Sequence, residues 1–323
     1  VLHDGARHVD DSALLNEAWF DLHIVRGDVD AAGRVLQDIV ATSNDPARLA
    51  LLQAELHQAA MEFDLADTHY RRAATLQPSS EHYYAWARNA YFSGNSAEAA
   101  EILAEMLVRY PFNIAALNLK GIIHYEKWEL DAAIAAFTAA VEMQPDPLSR
   151  ANLGNIYLFQ PDYVRAKEQF ELAYQEDSRD SVLVLNLADT EALMGNRERA
   201  DALYANLVER TEQGDVSVLP EVAAQAYAQL GHFEEALTIV KEYETEWENK
   251  PLYAFSTALV YTLAGQEIAA LVEVSDALEG HFDARFFNLP WFDPLCDQPR
   301  FVQLMVEGGN AERCAHGDGT ETE

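Results

Sequence analysis

Apolar residues recur at helical spacing along almost the whole chain, as in AAEILAEML (99–107) and AIAAFTAAV (133–141). No segment alternates polar and apolar residues with period two, so the pattern predicts helices and no sheet. Pro78, Pro111 and Pro145 punctuate the ends of the periodic stretches. A longer period lies on top of the helical one. Alanines stand at 32, 66, 99, 133, 166, 200, 236 and 270, spaced 33 to 36 residues apart. With that alanine taken as position 20 of a repeat, position 8 is Phe20, Ala54, Ala87, Gly121, Gly154, Ala188, Ala224 and Ala258. Position 24 is always large and apolar or aromatic: Leu36, Tyr70, Leu103, Phe137, Phe170, Tyr204, Val240 and Val274. Five repeats place glycine at position 15 (Gly27, Gly94, Gly195, Gly231, Gly265), where a left-handed residue can end one helix and turn the chain back. Each repeat therefore predicts two antiparallel helices that approach closely where positions 8 and 20 carry almost no side chain, with the bulky position 24 filling the space beside the crossing.

These units resemble the tetratricopeptide repeat, with its small residue at 8, aromatic at 11, Gly at 15, Ala at 20, aromatic at 24 and Ala at 27. The clearest copy is NLGNIYLFQPDYVRAKEQFELAYQEDS, which supplies Leu153, Gly154, Tyr157, Tyr163, Ala166, Phe170 and Ala173 and departs at Pro161 and Ser178. The resemblance implies an all-α fold: an α/α superhelical solenoid of about eight helix pairs, making about one superhelical turn, with a C-terminal capping segment. The repeats are placed at 13–46, 47–79, 80–113, 114–146, 147–180, 181–214, 217–250 and 251–284. An N-terminal lead-in (1–12), a cap (285–306) and a disordered acidic tail (307–323) complete the division. The cap is read from FFNLPWFDPLC (286–296). Its aromatics Phe286, Phe287, Trp291 and Phe292 would cover the last apolar helix face along an extended, proline-stiffened path before a short final helix starts at Asp297 or Gln298.

Composition narrows the partners. With 22 basic and 54 acidic residues the chain carries a formal charge of −32, which repels phosphate backbones and anionic lipid; nucleic acid is excluded as a partner. No apolar run is long enough to span a bilayer, so direct membrane insertion is not expected. The same acidity also fits plain solubility or adaptation to salt. The first residue is Val, which reads as an excised or processed segment, and the compartment, bacterial cytoplasm or periplasm, stays open. Cys296 and Cys314 form neither a zinc pattern nor a disulfide framework, though one bridge between them is possible.

No cofactor, metal site or catalytic constellation is expected. His23, His57 and His124 all occupy position 11, one or two repeats apart, too far to share a metal at a helix-packing distance of about 10 Å per repeat; they read as substitutes for the buried aromatic. There is no phosphate loop, nucleophile elbow or HExxH, so the chain is expected not to be an enzyme.

What the resemblance does imply is a concave groove lined by positions 2, 5, 6, 9, 12 and 13 of each first helix. In this sequence that selects Tyr84, Arg88, Tyr91, Asn118, Tyr125, Asn152, Asn155, Leu158, Asn186 and Asp189 as peptide- or partner-binding residues. Asparagine amides donate and accept, and can hold the backbone of an extended peptide, while the tyrosines can stack on its side chains. The basic residues with which relatives clamp a C-terminal carboxylate are missing at positions 5 and 6, so the expected partner is a neutral or basic segment. The reading is a non-enzymatic interaction scaffold. A competing reading comes from WFDPLCDQPRFVQLM, which resembles the ending of such repeats in bacterial multidomain kinases, cyclases and transcriptional regulators, and makes the chain a sensor segment of a larger signalling protein.

Overall fold

The computed structural model describes residues 12–247 and 250–315. The lead-in up to residue 11 and the tail from 316 lie outside the described residues. All regular structure among those described is helical. The chain divides into two compact units, residues 1–144 and 145–323.

The N-terminal unit contains four helix pairs: α1 (Ser12–Val25) with α2 (Val29–Thr42), α3 (Pro46–Ala59) with α4 (Phe63–Leu76), α5 (Ser80–Phe92) with α6 (Ser96–Arg109), and α7 (Ile114–Glu126) with α8 (Leu130–Met143). The C-terminal unit contains α9 (Pro147–Phe159) with α10 (Tyr163–Glu176), α11 (Ser181–Leu193) with α12 (Arg197–Glu212), α13 (Pro220–Gln229) with α14 (Phe233–Trp247), and α15 (Pro251–Leu263) with α16 (Glu267–Glu279). Two 3-10 turns, Ala284–Asn288 and Pro290–Asp297, and α17 (Pro299–Glu307) follow.

Local signals set the helix starts. Asp28, Asp45, Ser79, Asn95, Asn113, Asp146, Asp162 and Asp180 each accept a hydrogen bond from a first-turn backbone N–H. Pro46, Pro147, Pro220, Pro251 and Pro299 occupy the first turn, where no N–H is needed. The five position-15 glycines all have φ between 69° and 83°. Met61 and Trp128 hold the same left-handed conformation at φ 61° and 57° without glycine's freedom.

Within a pair, position 8 is matched in size to position 24. Where position 24 is phenylalanine, position 8 is glycine: a Cβ on Gly154 would stand 2.5 Å from Phe170, and one on Gly121 2.6 Å from Phe137. Where position 24 is tyrosine, leucine or valine, alanine fits in every pair but the first, which places Phe20 with Leu36; the pairs Ala54/Tyr70, Ala87/Leu103 and Ala188/Tyr204 are buried. Gly154→Ala is therefore expected to lower stability by about 1–3 kcal/mol through overpacking, despite alanine's better helix propensity. Phe170→Leu in the same chain should recover part of the loss, which a two-by-two set of urea denaturation curves measures.

The C-terminal segment closes the last pair. Phe287, Phe292, Leu295 and Phe301 are completely buried, and the ring of Phe255 on α15 packs against Phe282, Phe287 and Phe292 at 5.1–5.5 Å. The extended path expected for 286–296 is corrected to the two 3-10 turns. Asp283 caps the first through the N–H of Arg285, and the φ of Pro290 and Pro294 suits this tight helix. Residues beyond α17 fold back onto the same turns: Arg313 donates to the carbonyl of Phe287 at 2.6 Å and pairs with Asp293 at 2.7 Å, and Cys314 is bridged to Cys296.

The three position-11 histidines are mostly buried, their side chains 21–28% exposed. Each faces the carboxylate five residues on, in the pairs His23–Asp28, His57–Glu62 and His124–Glu129. Among the described residues no group of three or more His, Cys, Asp or Glu is placed to hold a metal ion.

Candidate functional site

In the N-terminal unit α5 carries Tyr84, Arg88 and Tyr91, spaced four and three residues apart and so on one helix face. The guanidinium of Arg88 lies 5.9 Å from the Tyr84 ring and 5.6 Å from that of Phe92, within cation–π range. Phe92 is 55% exposed and packs edge-on against Tyr91 at 5.5 Å. On the next first helix, the Tyr91 hydroxyl donates to Glu126, and burial together with that carboxylate raises its pKa. Tyr125 stacks on Trp128 with ring centroids 6.4 Å apart. Tyr84, Arg88, Tyr91 and Tyr125 are thus brought into two neighbouring aromatic groups tied by Tyr91–Glu126. Asn118 is not part of an open surface, being 8% exposed within the packing of α7. Phe92, at groove position 13, joins the candidate group; a large apolar side chain at that position is the sequence signal for it.

A carboxylate cluster adjoins the aromatics. Arg48 pairs with Glu17 at 2.7 Å. Burial raises the Glu55 carboxyl to about 7 against the pull of Arg48, with Asp21, Glu81 and Glu17 pushing in the same direction as burial. Glu81 stands one turn before Tyr84 on α5. The surface thus combines one exposed and several half-buried aromatic rings with carboxylates, a lining that suits an apolar or aromatic side chain next to a cationic one.

The C-terminal unit treats the same positions differently. The Asn186 amide donates to the Asn155 side-chain oxygen at 2.9 Å, so these two satisfy each other. Asn152 lies on the same helix as Asn155, and its amide nitrogen is buried without a partner among the described residues. Leu158 and Asp189 are each 5% exposed. Asp189 accepts from the Tyr204 hydroxyl at 2.6 Å and from the Gln225 amide at 2.8 Å, and burial raises its pKa to about 7. All eight residues from Val222 to Gln229 on α13 are buried, on every side of the helix. The cap reaches this face too: Phe286 packs edge-on against Phe159 at the end of α9, at 4.7 Å. Of the five residues expected to line a groove in this unit, two are buried and two are bonded to each other. The unit's own packing covers Leu158 and Asp189, while Asn152, Asn155 and Asn186 stay half-buried.

The model of the tetratricopeptide repeat family matches residues 84–146 and 129–181. A search of curated proteins finds no match to this sequence. Among solved structures, a tetratricopeptide repeat protein from Parabacteroides merdae aligns over 81% of this chain and 99% of its own, at 14% identity and a TM-score of 0.58. PilW, a widely conserved type IV pilus biogenesis factor, aligns over 65% of this chain and 98% of its own at 17% identity and a TM-score of 0.54. Pseudomonas aeruginosa pilF aligns over 63% and 94% at 18% identity and 0.52. The family match covers residues 84–181, and helix pairs of the same kind continue on both sides of it, so the described chain has a tetratricopeptide-repeat fold.

Proposed function

We propose that this protein is a non-enzymatic interaction scaffold whose partner-binding surface lies in the N-terminal unit, on the aromatic face of α5 and α7. Tetratricopeptide repeats in general bind protein partners. The observation that carries the location is the set of exposed Arg88 and Phe92 with half-buried Tyr84 and Tyr91, beside Glu55 and Glu81, where Leu158 and Asp189 at equivalent positions of the C-terminal unit are buried and Asn155 and Asn186 are bonded to each other. The ligand that fits is an extended, neutral-to-basic peptide segment. An apolar or aromatic side chain would insert against Phe92 and Tyr91, and a lysine or arginine would lie towards Glu55 and Glu81. Aromatic burial supplies most of the affinity, and the acidic field raises the association rate.

Selecting a random peptide library against the full chain provides the probe. Selected peptides should be enriched in aromatic and basic residues. Their binding is expected to weaken by about tenfold or more for Tyr91→Ala or Phe92→Ala, the loss of one aromatic anchor. Asn155→Ala and Asn186→Ala should leave it unchanged. Peptides whose affinity ignores Tyr91, Phe92 and Tyr125 but falls with the two asparagines would place the surface in the other unit and overturn the proposal.

A further inference from the structure

A cavity of about 700 Å³ opens between α14, α15 and α16. Its walls bring together the carboxylates of Glu244, Glu273, Asp276 and Glu279 with the rings of Tyr253 and Tyr261. Among the described residues no ion pair reaches these four carboxylates. The one lysine of the lining, Lys250, lies against the Tyr253 ring at 5.2 Å.

A second feature points into the same space. Thr257 is 5% exposed and lines the cavity. The other serine and threonine hydroxyls on α15 turn back onto their own helix, Thr262 donating to the carbonyl of Ala258 at 2.7 Å and Ser256 to that of Leu252 at 3.3 Å. Thr257 makes no such bond among the described residues, so the polar group of this nearly buried side chain is left for whatever occupies the cavity it lines. Burial, with Asp276 and Glu244 nearby, raises the Glu273 carboxyl to about 7, as expected of crowded carboxylates lacking a counter-cation.

The arrangement selects among cations. No three carboxylates here are placed to hold a metal ion, whereas four carboxylates in a cavity also lined by two tyrosines match charges separated by methylene groups. We propose that this cavity binds an aliphatic polyamine, its ammonium groups against Glu244, Glu273 and Asp276, its chain along Tyr253 and Tyr261, and one N–H donated to the Thr257 hydroxyl.

Calorimetric titration of the full chain with spermidine at fixed ionic strength tests this. One saturable site is expected, weakened by about tenfold or more in the Glu273→Gln/Asp276→Asn double variant and by a smaller factor in Thr257→Val. The Glu234→Gln/Glu235→Gln variant, on the exposed start of α14, should bind spermidine like the parent chain. Equal weakening in that control, or equal displacement of spermidine by magnesium at matched charge, would reduce the effect to general attraction by an acidic chain and overturn the proposal. So would a lysine-rich peptide that binds the site more tightly than spermidine, since the occupant would then be a protein segment. Thr257→Val keeps the test open should the double variant fail to fold.

Discussion

Replacing Phe287 by alanine is expected to lower the stability of the C-terminal unit by about 3–5 kcal/mol, the loss typical of emptying a fully buried phenylalanine site. Phe287 is completely buried. Its ring meets Phe292 at 5.0 Å, Phe255 at 5.4 Å, and Phe282 and Phe301 at 6.3 and 6.4 Å. It therefore joins the last helix pair, both 3-10 turns and α17 in one contact set. A stack of repeats is held by interfaces between neighbours, and the last pair has a neighbour on one side alone unless a cap supplies the other. Removing the central ring of the cap should loosen α15 and α16 first. Hydrogen exchange in these two helices should speed up before that in α9 or α11. Trp291→Ala, on the following 3-10 turn and only half buried, should cost less. A Phe287→Ala midpoint within about 1 kcal/mol of the parent in urea denaturation would mean that the stack does not depend on its cap.

The second large effect is a stability that falls as pH rises from about 4 to 7. In most proteins native carboxylates are paired and titrate below their unfolded values, so stability rises with pH in this range. Here Asp189 does the reverse. Burial raises it to about 7, while the hydrogen bonds from Tyr204 and Gln225 act the other way. A group whose folded pKa lies above its unfolded value contributes stability that is fully present below the unfolded value and is lost as pH rises through the folded one. Unfolded aspartate titrates near 3.9, so the window is about pH 4 to 7 and the slope approaches 1.4 kcal/mol per pH unit. For Asp189 alone the total is about 4 kcal/mol. Glu55 and Glu273, also raised to about 7 chiefly by burial, add the same sign. Asp215 runs the ordinary way. Held to about 2 by hydrogen bonds from Ser217 and Arg210, it supports the fold above about pH 4 and withdraws that support in acid. Denaturation midpoints should accordingly be higher at pH 5 than at pH 8, with Asp189→Asn removing at least half of the difference. A parent protein more stable at pH 8 than at pH 5 would contradict this reading of its buried carboxylates.

Much of the fold was legible because its rules are local. The 33- to 36-residue alanine spacing places the helix crossings, and the glycine opposite phenylalanine at Gly121/Phe137 and Gly154/Phe170 follows from the volume available between two close axes. The aromatic run at 286–292 announced the cap for the same reason, since so much apolar surface must be covered where the repeats end. Its 3-10 path was harder to read, because prolines suit an extended strand and a tight helix alike.

The candidate site was half legible. Tyr84, Arg88 and Tyr91 share a face by spacing alone. Asp189 and Leu158 could not be placed that way, because burial at a groove position depends on what returns to it. Phe286 reaches Phe159 across 127 residues of sequence, and Asp189 is satisfied from two other helices, by Tyr204 and by Gln225. A charged residue at such a position reads as solvated until its distant partners are known. Gln225, 36 residues on at the same position of the next repeat, was the one local hint.

The central claim is that the partner-binding surface lies in the N-terminal unit because the corresponding positions of the C-terminal unit are partly buried and partly bonded to one another. Hydrogen–deuterium exchange of the full chain, with and without a library-selected peptide, tests it most directly. The account predicts slowed exchange over residues 81–92 and 118–128 and unchanged exchange across α9, α11 and α13. Protection confined to α9, α11 and α13, with residues 81–92 unaffected, would contradict it.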